Sequence, residues 1–315
     1  MINAANIMSG LLSKNFVRSI DEFNHYEDPS QGIPILIPAD DELFVFKNSD
    51  IFIIEKEHQL STIYGHSDAS YIGFKHTYIG TRFISSFTIK KSFKDTLNSL
   101  VSHNEESFAH IRKVGDHQKR IGAFQTRNIP HYGHEAIIWR MLTKCQHLVI
   151  NPVIGPKKKG DVTVDCLNKV FSGYFAKKYS NKISFNPIFA NMFYAGPREA
   201  IHHARMRQTL GYDLFSVGRD HAGAEKKYPR QAASDLAKKH EKDLKIEIIC
   251  HQGSVFCQGC GKAVLEGDCT HSEQDKKDIS GTHFRQNIET GTFYELADKD
   301  LQEYLRGITS EVFES

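Results

Sequence analysis

From Ile121 onward the chain alternates short apolar runs with helix-length stretches, and this rhythm restricts the fold more than any other feature of the sequence. Ile121-Gly-Ala-Phe124, Leu148-Val-Ile150, Leu214-Phe-Ser-Val217 and Ile246-Glu-Ile-Ile249 read as strands. Between them Glu135–Lys144, Asp165–Lys178, Arg198–Leu210 and Tyr228–Lys239 read as helices, and Ile138, Met141 and Leu142 share a face of the first. Repeated strand–helix units predict an α/β fold on a doubly wound, mostly parallel sheet. Such sheets bind ligands beyond the carboxyl ends of their strands. The segments after Phe124 and Val217 are therefore where chemistry is expected.

Residues 1 to about 115 read differently. Phe44-Val-Phe46, Ile51–Ile54, Tyr71-Ile-Gly-Phe74 and Phe83–Ile89 look like short strands between turn residues, and Ile33–Pro38 like an edge strand bracketed by prolines. That pattern predicts a small barrel or sandwich. The change near Lys113–Lys119 sets an expected boundary between a β-rich domain, 1–115, and an α/β domain, 116–315, in line with the length of 315 residues. Apolar residues at 40% and charged residues at 25% rule out a mostly disordered chain. A net charge of +2 gives no support to a nucleic-acid partner. No run approaches the ~18 apolar residues of a membrane span, and Met1-Ile-Asn-Ala-Ala-Asn has no leader pattern. The expectation is a cytoplasmic protein without membrane or nucleic-acid partner.

The segment Gln125-Thr126-Arg127-Asn128-Ile129-Pro130-His131-Tyr132-Gly133-His134-Glu135 follows a strand and opens a helix. A helix N-terminus presents unpaired N–H groups and partial positive charge. His131 and His134, three apart, project from one side of its first turn. Their ring N–H groups suit phosphate oxygens, and Arg127 offers a planar fork to a tetrahedral oxyanion. A lone histidine pair would read as a surface feature of a turn, but Gln, Arg, Asn and two His at one junction point to a site. Val217-Gly218-Arg219-Asp220-His221-Ala222-Gly223 also follows a strand, and its glycines let the backbone approach a ligand closely. Ser280 and Thr282 in Asp278–Arg285 read as helix caps or as a phosphate cradle. Lys157-Lys158-Lys159 reads as a solvated loop or as a lid over polyphosphate, and Met192–Glu199 as a structural helix start. The pattern G-x-x-x-x-G-K-[ST] is absent, which excludes a fused P-loop kinase.

Three of the six cysteines crowd into Cys257-x2-Cys260-x8-Cys269, followed by x-His271. The first pair has zinc-knuckle spacing, and Gly259 and Gly261 permit its tight turn. Three thiolates and an imidazole complete a tetrahedron with no open position, so the expected metal is structural and remote from the chemistry. The alternative is reduced, unliganded cysteines. Cys145 and Cys166 read as plain buried residues.

In this order, QTRNIPHYGHE, NPVIGPKKKGD, MFYAGPREAIHHA, VGRDHAG, the Cys cluster and ISGTHFR resemble the ATP sulfurylase (sulfate adenylyltransferase) family over most of the chain from about Arg120. The resemblance implies a Rossmann-like nucleotidyltransferase domain with a doubly wound parallel sheet, behind an N-terminal β-rich PUA-like domain and ahead of a small C-terminal zinc-knuckle and helical segment. It implies transfer of AMP from MgATP to sulfate, giving adenosine 5′-phosphosulfate and pyrophosphate by direct in-line displacement. Mg2+ would accompany ATP, and a structural Zn2+ would sit on Cys257, Cys260, Cys269 and His271. Gln125, Arg127 and the Ala222 backbone would hold sulfate, and Thr126, Arg127 and Asn128 would line the reacting centre. His131 and His134 would stabilise phosphates in the transition state. Gly218, Arg219, Asp220 and His221 would hold ATP, and the backbone near Ser254 or Val255 would meet adenine. A homo-oligomer is compatible with all of this. Ile129 stands where the family usually has proline, and Phe193 where it usually has arginine. The latter would give an apolar wall to a larger acceptor. The alternatives are adenylyl transfer to another oxyanion (a phosphonate or an organosulfur acid), an RNA-binding PUA-containing homologue, and a catalytically silent one.

Overall fold

The structure is a computed structural model, and it describes residues 5–6, 9–12, 51–52, 64–77, 83–84, 94–116, 119–155, 160–308 and 312–314. Its contacts gather into two units: Met1–Lys113, Ile188–Tyr212 and Asp220–Ile248 form the first, and Val114–Pro187, Asp213–Arg219 and Ile249–Ser315 the second.

The first unit begins with β1 (Ile51–Phe52), α1 (Ile72–Thr77), β2 (Phe83–Ile84) and α2 (Lys94–Gly115). β1 and β2 pair antiparallel, Ile51 opposite Ile84. Two readings of this region are corrected. Tyr71-Ile-Gly-Phe74 leads into helix rather than strand, because Tyr71 and Phe74, three apart, fall on one helical face and are both buried. Gly73 permits the fit, since a Cβ there would lie 2.5 Å from the Phe193 carbonyl. The stretch before residue 115 is helical over 22 residues, with Asn104, Ser107 and Ile111 buried at helical spacing. The expected strands at Ile33–Pro38 and Phe44–Phe46 lie outside the described residues, as does most of Phe83–Ile89.

The chain then enters the second unit through β3 (Ile121–Phe124), α3 (Tyr132–Leu142), β4 (His147–Ile150), α4 (Val164–Asn168) and β5 (Ile183–Phe185). The expected helix over Asp165–Lys178 is interrupted. Beyond α4 it widens into a π-helix over Lys169–Phe175, then closes with an α turn at Ala176–Lys178. The widening has a visible cause. The Tyr304 hydroxyl donates to the Lys169 carbonyl at 3.3 Å and lies 2.4 Å from where a Cβ at Gly173 would be. In the first unit, α5 (Pro197–Leu210) starts on Pro197 and ends on left-handed Gly211. β6 (Leu214–Val217) belongs to the second unit and α6 (Ala232–Lys239) to the first. Through β7 (Glu247–Cys250) the chain returns to the second unit, which it completes with β8 (Ser254–Cys257), β9 (Lys262–Leu265), β10 (Lys276–Asp278), α7 (Gly281–Thr290) and α8 (Lys299–Ile308).

The strand order of the central sheet is β5-β4-β3-β6-β7. β3 runs parallel to β4, Phe124 opposite Ile150, and to β6, Phe124 opposite Ser216. β4 runs parallel to β5. The expected α/β fold with a parallel central sheet is present, and the strand order reverses between β3 and β6. Beneath it Ile138, Leu148, Ile150, Phe171 and Phe175 pack fully buried, joined by Phe284 and Leu301 from the C-terminal helices. Cys145 and Cys166 are buried, as expected. Among the described residues no helix is long and apolar enough to cross a membrane.

Candidate active site

β3 and β6 are neighbours at the point where the strand order reverses, so the chain leaves Phe124 and Val217 on the same edge of the sheet. A crevice outside the carboxyl ends of the strands, where their order reverses, is where this architecture takes a ligand. The two segments singled out by residue type are the two that leave these strands.

Thr126 is buried, and its hydroxyl accepts the Asn128 N–H at 3.2 Å, which turns the chain after Gln125. The Gln125 Oε1 is buried without a hydrogen-bond partner in the described structure. An orphaned amide oxygen is costly and is satisfied by a ligand or a water. Arg127 is half-buried, and its guanidinium makes no hydrogen bond or ion pair with the described residues. Asn128 Oδ1 accepts from Arg285 at 3.3 Å, and Arg285 also donates to the Gly160 carbonyl at 2.9 Å. The Gln125–Asn128 turn and the start of α7 are thereby held together, a contact the sequence reading did not assign.

The two histidines cap α3. Gly133 N–H donates to His131 Nδ1 at 3.1 Å, and His131 N–H points at His134 Nδ1 at 3.4 Å, a capping box built from imidazoles. With both Nδ1 atoms acting as acceptors, each neutral ring carries its proton on Nε2. The ring centroids are 4.0 Å apart. Burial brings His131 down to about 4, and burial plus the neighbouring ring puts His134 well below its ordinary value. Near neutral pH the pair therefore presents two N–H donors without net charge. His131 Nε2 faces the start of α7, 3.7 Å from where a Cβ on Gly281 would lie. There Ser280 caps the helix by accepting the His283 N–H, the plainer of the two readings of that motif.

Gly218 has open space on its Cβ side. Arg219 lies 3.5 Å from Glu266, a half-exposed pair of little energetic weight. Its guanidinium sits beside Gly253, where a Cβ would meet it at 3.2 Å. Asp220, His221 and Ala222 belong to the first unit. Asp220 and Ala222 have left-handed backbones, φ 57° and 54°, which side-chain-bearing residues seldom adopt outside tight or functional loops. Ala222 O accepts the Gly196 N–H and Asp220 N–H donates to the Arg230 carbonyl, both at 3.1 Å. His221 Nε2 lies 3.0 Å from His203 Nδ1. Phe193 is buried with its ring against His202, so the apolar wall expected from it is turned into the interior of this unit. Pro156 to Lys159 lie outside the described residues.

Cys257 ends β8, Cys260 lies in the hairpin turn to β9, and Cys269 and His271 follow on the loop toward β10. Cys269 Sγ lies 3.5 Å from both Cys257 Sγ and Cys260 Sγ, and His271 Nδ1 lies 3.5, 3.4 and 3.2 Å from the three sulfurs. Edges of roughly 3.5 Å are what four ligands about 2.0–2.3 Å from one centre produce. The donor set fits a tetrahedral metal, and Gly259 is needed beside it because a Cβ would lie 2.7 Å from the His271 ring. The hairpin is not remote from the candidate site. It packs along α3, with Phe256 stacked on Tyr132 and the Ser254 hydroxyl 2.3 Å from where a Cβ on Gly133 would be.

Sequence reading also missed the polar anchor under α3. Glu135 Oε2 accepts from Lys178 at 2.6 Å and from the Tyr179 hydroxyl at 3.0 Å, and Lys178 also pairs with Asp298. Only Glu135 lay inside a recognised motif; its partners are far along the chain.

The model of the ATP-sulfurylase family matches residues 100–295, the stretch that holds β3, β6, the histidine pair and the cysteine hairpin. This chain belongs to the ATP-sulfurylase family. A sulfate adenylyltransferase of Pyrococcus abyssi is 31% identical over 304 residues, covering 90% of this chain and 79% of that one. One of Ignicoccus hospitalis is 40% identical over 174 residues, 55% of this chain, and there the match spans 45% of the relative's length. A solved hexameric APS kinase from Thiobacillus denitrificans has a TM-score of 0.45 at 17% identity, over 61% of this chain and 37% of that one, too low for an inference about this ATP-sulfurylase chain.

Proposed function

We propose that the chain is a sulfate adenylyltransferase, with its chemistry in residues 116–315. The observation that carries the reading is the convergence of the Gln125–His134 and Gly218–Arg219 segments at the β3/β6 reversal of an ATP-sulfurylase sheet. A sulfate oxygen attacks the α-phosphorus of ATP, the bond from that phosphorus to the bridging oxygen of the β-phosphate breaks, and pyrophosphate leaves with the electron pair. Sulfate is already ionised, so no base is required. The task is to hold two anions in line and to stabilise charge on the leaving group. Gln125 and Arg127 hold sulfate, and Thr126 and Asn128 shape the turn around the reacting centre. His131 and His134 donate through Nε2–H to phosphate oxygens. Gly218, Arg219, Asp220 and His221 hold ATP, which enters as its Mg2+ complex. Cys257, Cys260, Cys269 and His271 hold a structural zinc that braces the hairpin against α3. The protein works in the cytoplasm.

Pyrophosphate release from MgATP tests the acceptor. Sulfate, molybdate and selenate, alike in charge and shape, should each stimulate it. Release with a phosphonate or carboxylate and with none of these three would transfer the assignment to another oxyanion.

A further inference from the structure

We propose that Lys276 is the counter-charge of the cluster Cys257, Cys260, Cys269 and His271, offsetting the negative charge that three thiolates leave on a bound zinc ion and so tightening the chain's hold on it. The proposal rests on the reading of that cluster as a zinc site. It adds a residue that ligand spacing does not reveal.

The need for a cation follows from the donor set. Zinc is ligated by thiolate, not thiol, and by neutral imidazole. Cys257, Cys260 and Cys269 therefore bring three negative charges and His271 none, against the two positive charges of the ion. One negative charge is left over, in a cluster whose ligand atoms all lie within 4.8 Å of one another. The backbone relieves it in part. Cys260 N–H points at Cys257 Sγ and His271 N–H at Cys269 Sγ, both at 3.4 Å. These dipoles carry no net charge, so a nearby cation still lowers the energy of the loaded site.

The sheet that holds Cys257 places cations beside it. β8 is the middle strand between β9 and β10, and the residues opposite Cys257 on both sides are lysines, Lys262 on β9 and Lys276 on β10. Gln258 N–H donates to the Asp275 carbonyl at 2.8 Å. Bonded and unbonded pairs alternate along an antiparallel ladder, so the next pair, Cys257 and Lys276, is a non-hydrogen-bonded one, in which facing side chains come closest. The Lys276 side chain is 19% exposed, whereas Lys262 is exposed. A partly buried charge is screened less than an exposed one, which makes Lys276 the stronger of the two. Glu273, itself 88% exposed, holds the Lys276 ammonium at 2.5 Å. Glu273 first, and the Cys269 and Cys257 sulfurs with it, raise Lys276 above its ordinary value. The ammonium is thus kept charged, within electrostatic reach of two of the three sulfurs.

Zinc affinity of the full chain, measured by equilibrium competition with a chromophoric chelator under reducing conditions, tests this. Lys276→Gln should weaken binding about tenfold, and Lys276→Arg, which keeps the charge, should recover most of the loss. Lys262→Gln should cost less. Glu273→Gln, which removes the competing carboxylate, should hold zinc at least as tightly as the wild type. The deficit of Lys276→Gln should shrink from low to high salt, as a charge effect does and a packing effect does not. Lys276→Met, neutral and of similar length, should behave as Lys276→Gln and takes its place if that variant does not fold. A neutral variant that binds zinc as the wild type does, or a Lys276→Arg protein as weak as the neutral one, overturns the proposal. A wild type that takes up no zinc overturns the metal reading itself, and the counter-charge falls with it.

Discussion

His131 and His134 show how a residue pair can be legible in sequence while its mode of action is not. Their spacing marks one face of a helix start, but only the geometry shows that each Nδ1 is engaged in the capping box, which leaves an N–H donor on Nε2 of both. A donor aimed at transition-state charge is typically worth ~3 kcal/mol. His134→Ala should therefore slow turnover by roughly 10²-fold in steady-state assays, with a smaller change in KM. The same pair gives the fold a pH dependence. Burial holds His131 at about 4 in the folded chain, against an ordinary 6.5, so between these values the unfolded chain binds more protons. Stability is thus full above about 6.5 and is lost as pH falls toward 4. The thermal midpoint should decline over that window. It should decline less steeply in His131→Asn, which keeps a capping oxygen and removes the titrating group. Gly133 is a third case. Alanine usually favours a helix over glycine, but here the new Cβ would lie 2.3 Å from the Ser254 hydroxyl. Gly133→Ala should lower stability by about 1–3 kcal/mol in denaturant titrations, and adding Ser254→Gly should restore much of it.

At the level of elements, the β3–β7 segments were readable because buried parallel strands are short apolar runs and their helices carry ordinary amphipathic spacing. α1 was not, since Tyr71-Ile-Gly-Phe74 suits a strand and a single helical turn equally well, and contacts with distant residues such as Phe193 decide between them. The π-helical stretch at Lys169–Phe175 escaped for the same reason, because its cause is a tyrosine 135 residues away from Lys169. The cysteine hairpin was legible from spacing alone. Its packing on α3 was not, and that packing changes what metal loss should do. Reduced protein purified without chelator should contain one zinc per chain by elemental analysis. Stripping it, or Cys260→Ser, should lower the thermal midpoint and also slow turnover, because Ser254 and Phe256 brace the turn that carries His131 and His134. Well under one zinc per chain would remove the metal from this account.

Across the whole molecule, the strand order β5-β4-β3-β6-β7 explains why segments about ninety residues apart in sequence fall on one sheet edge. The proposed adenylyl transfer to a small anion rests on membership of the ATP-sulfurylase family and on the residue types at that edge. The most direct test is product analysis with purified protein, MgATP and sulfate. The account predicts adenosine 5′-phosphosulfate and pyrophosphate formed in equal amounts and only when sulfate is present. Arg127→Lys should nearly abolish both, because a point charge cannot replace a planar fork. ATP cleavage that ignores sulfate, or adenosine 5′-phosphosulfate formed as well by the Arg127→Lys protein as by the wild type, would contradict it.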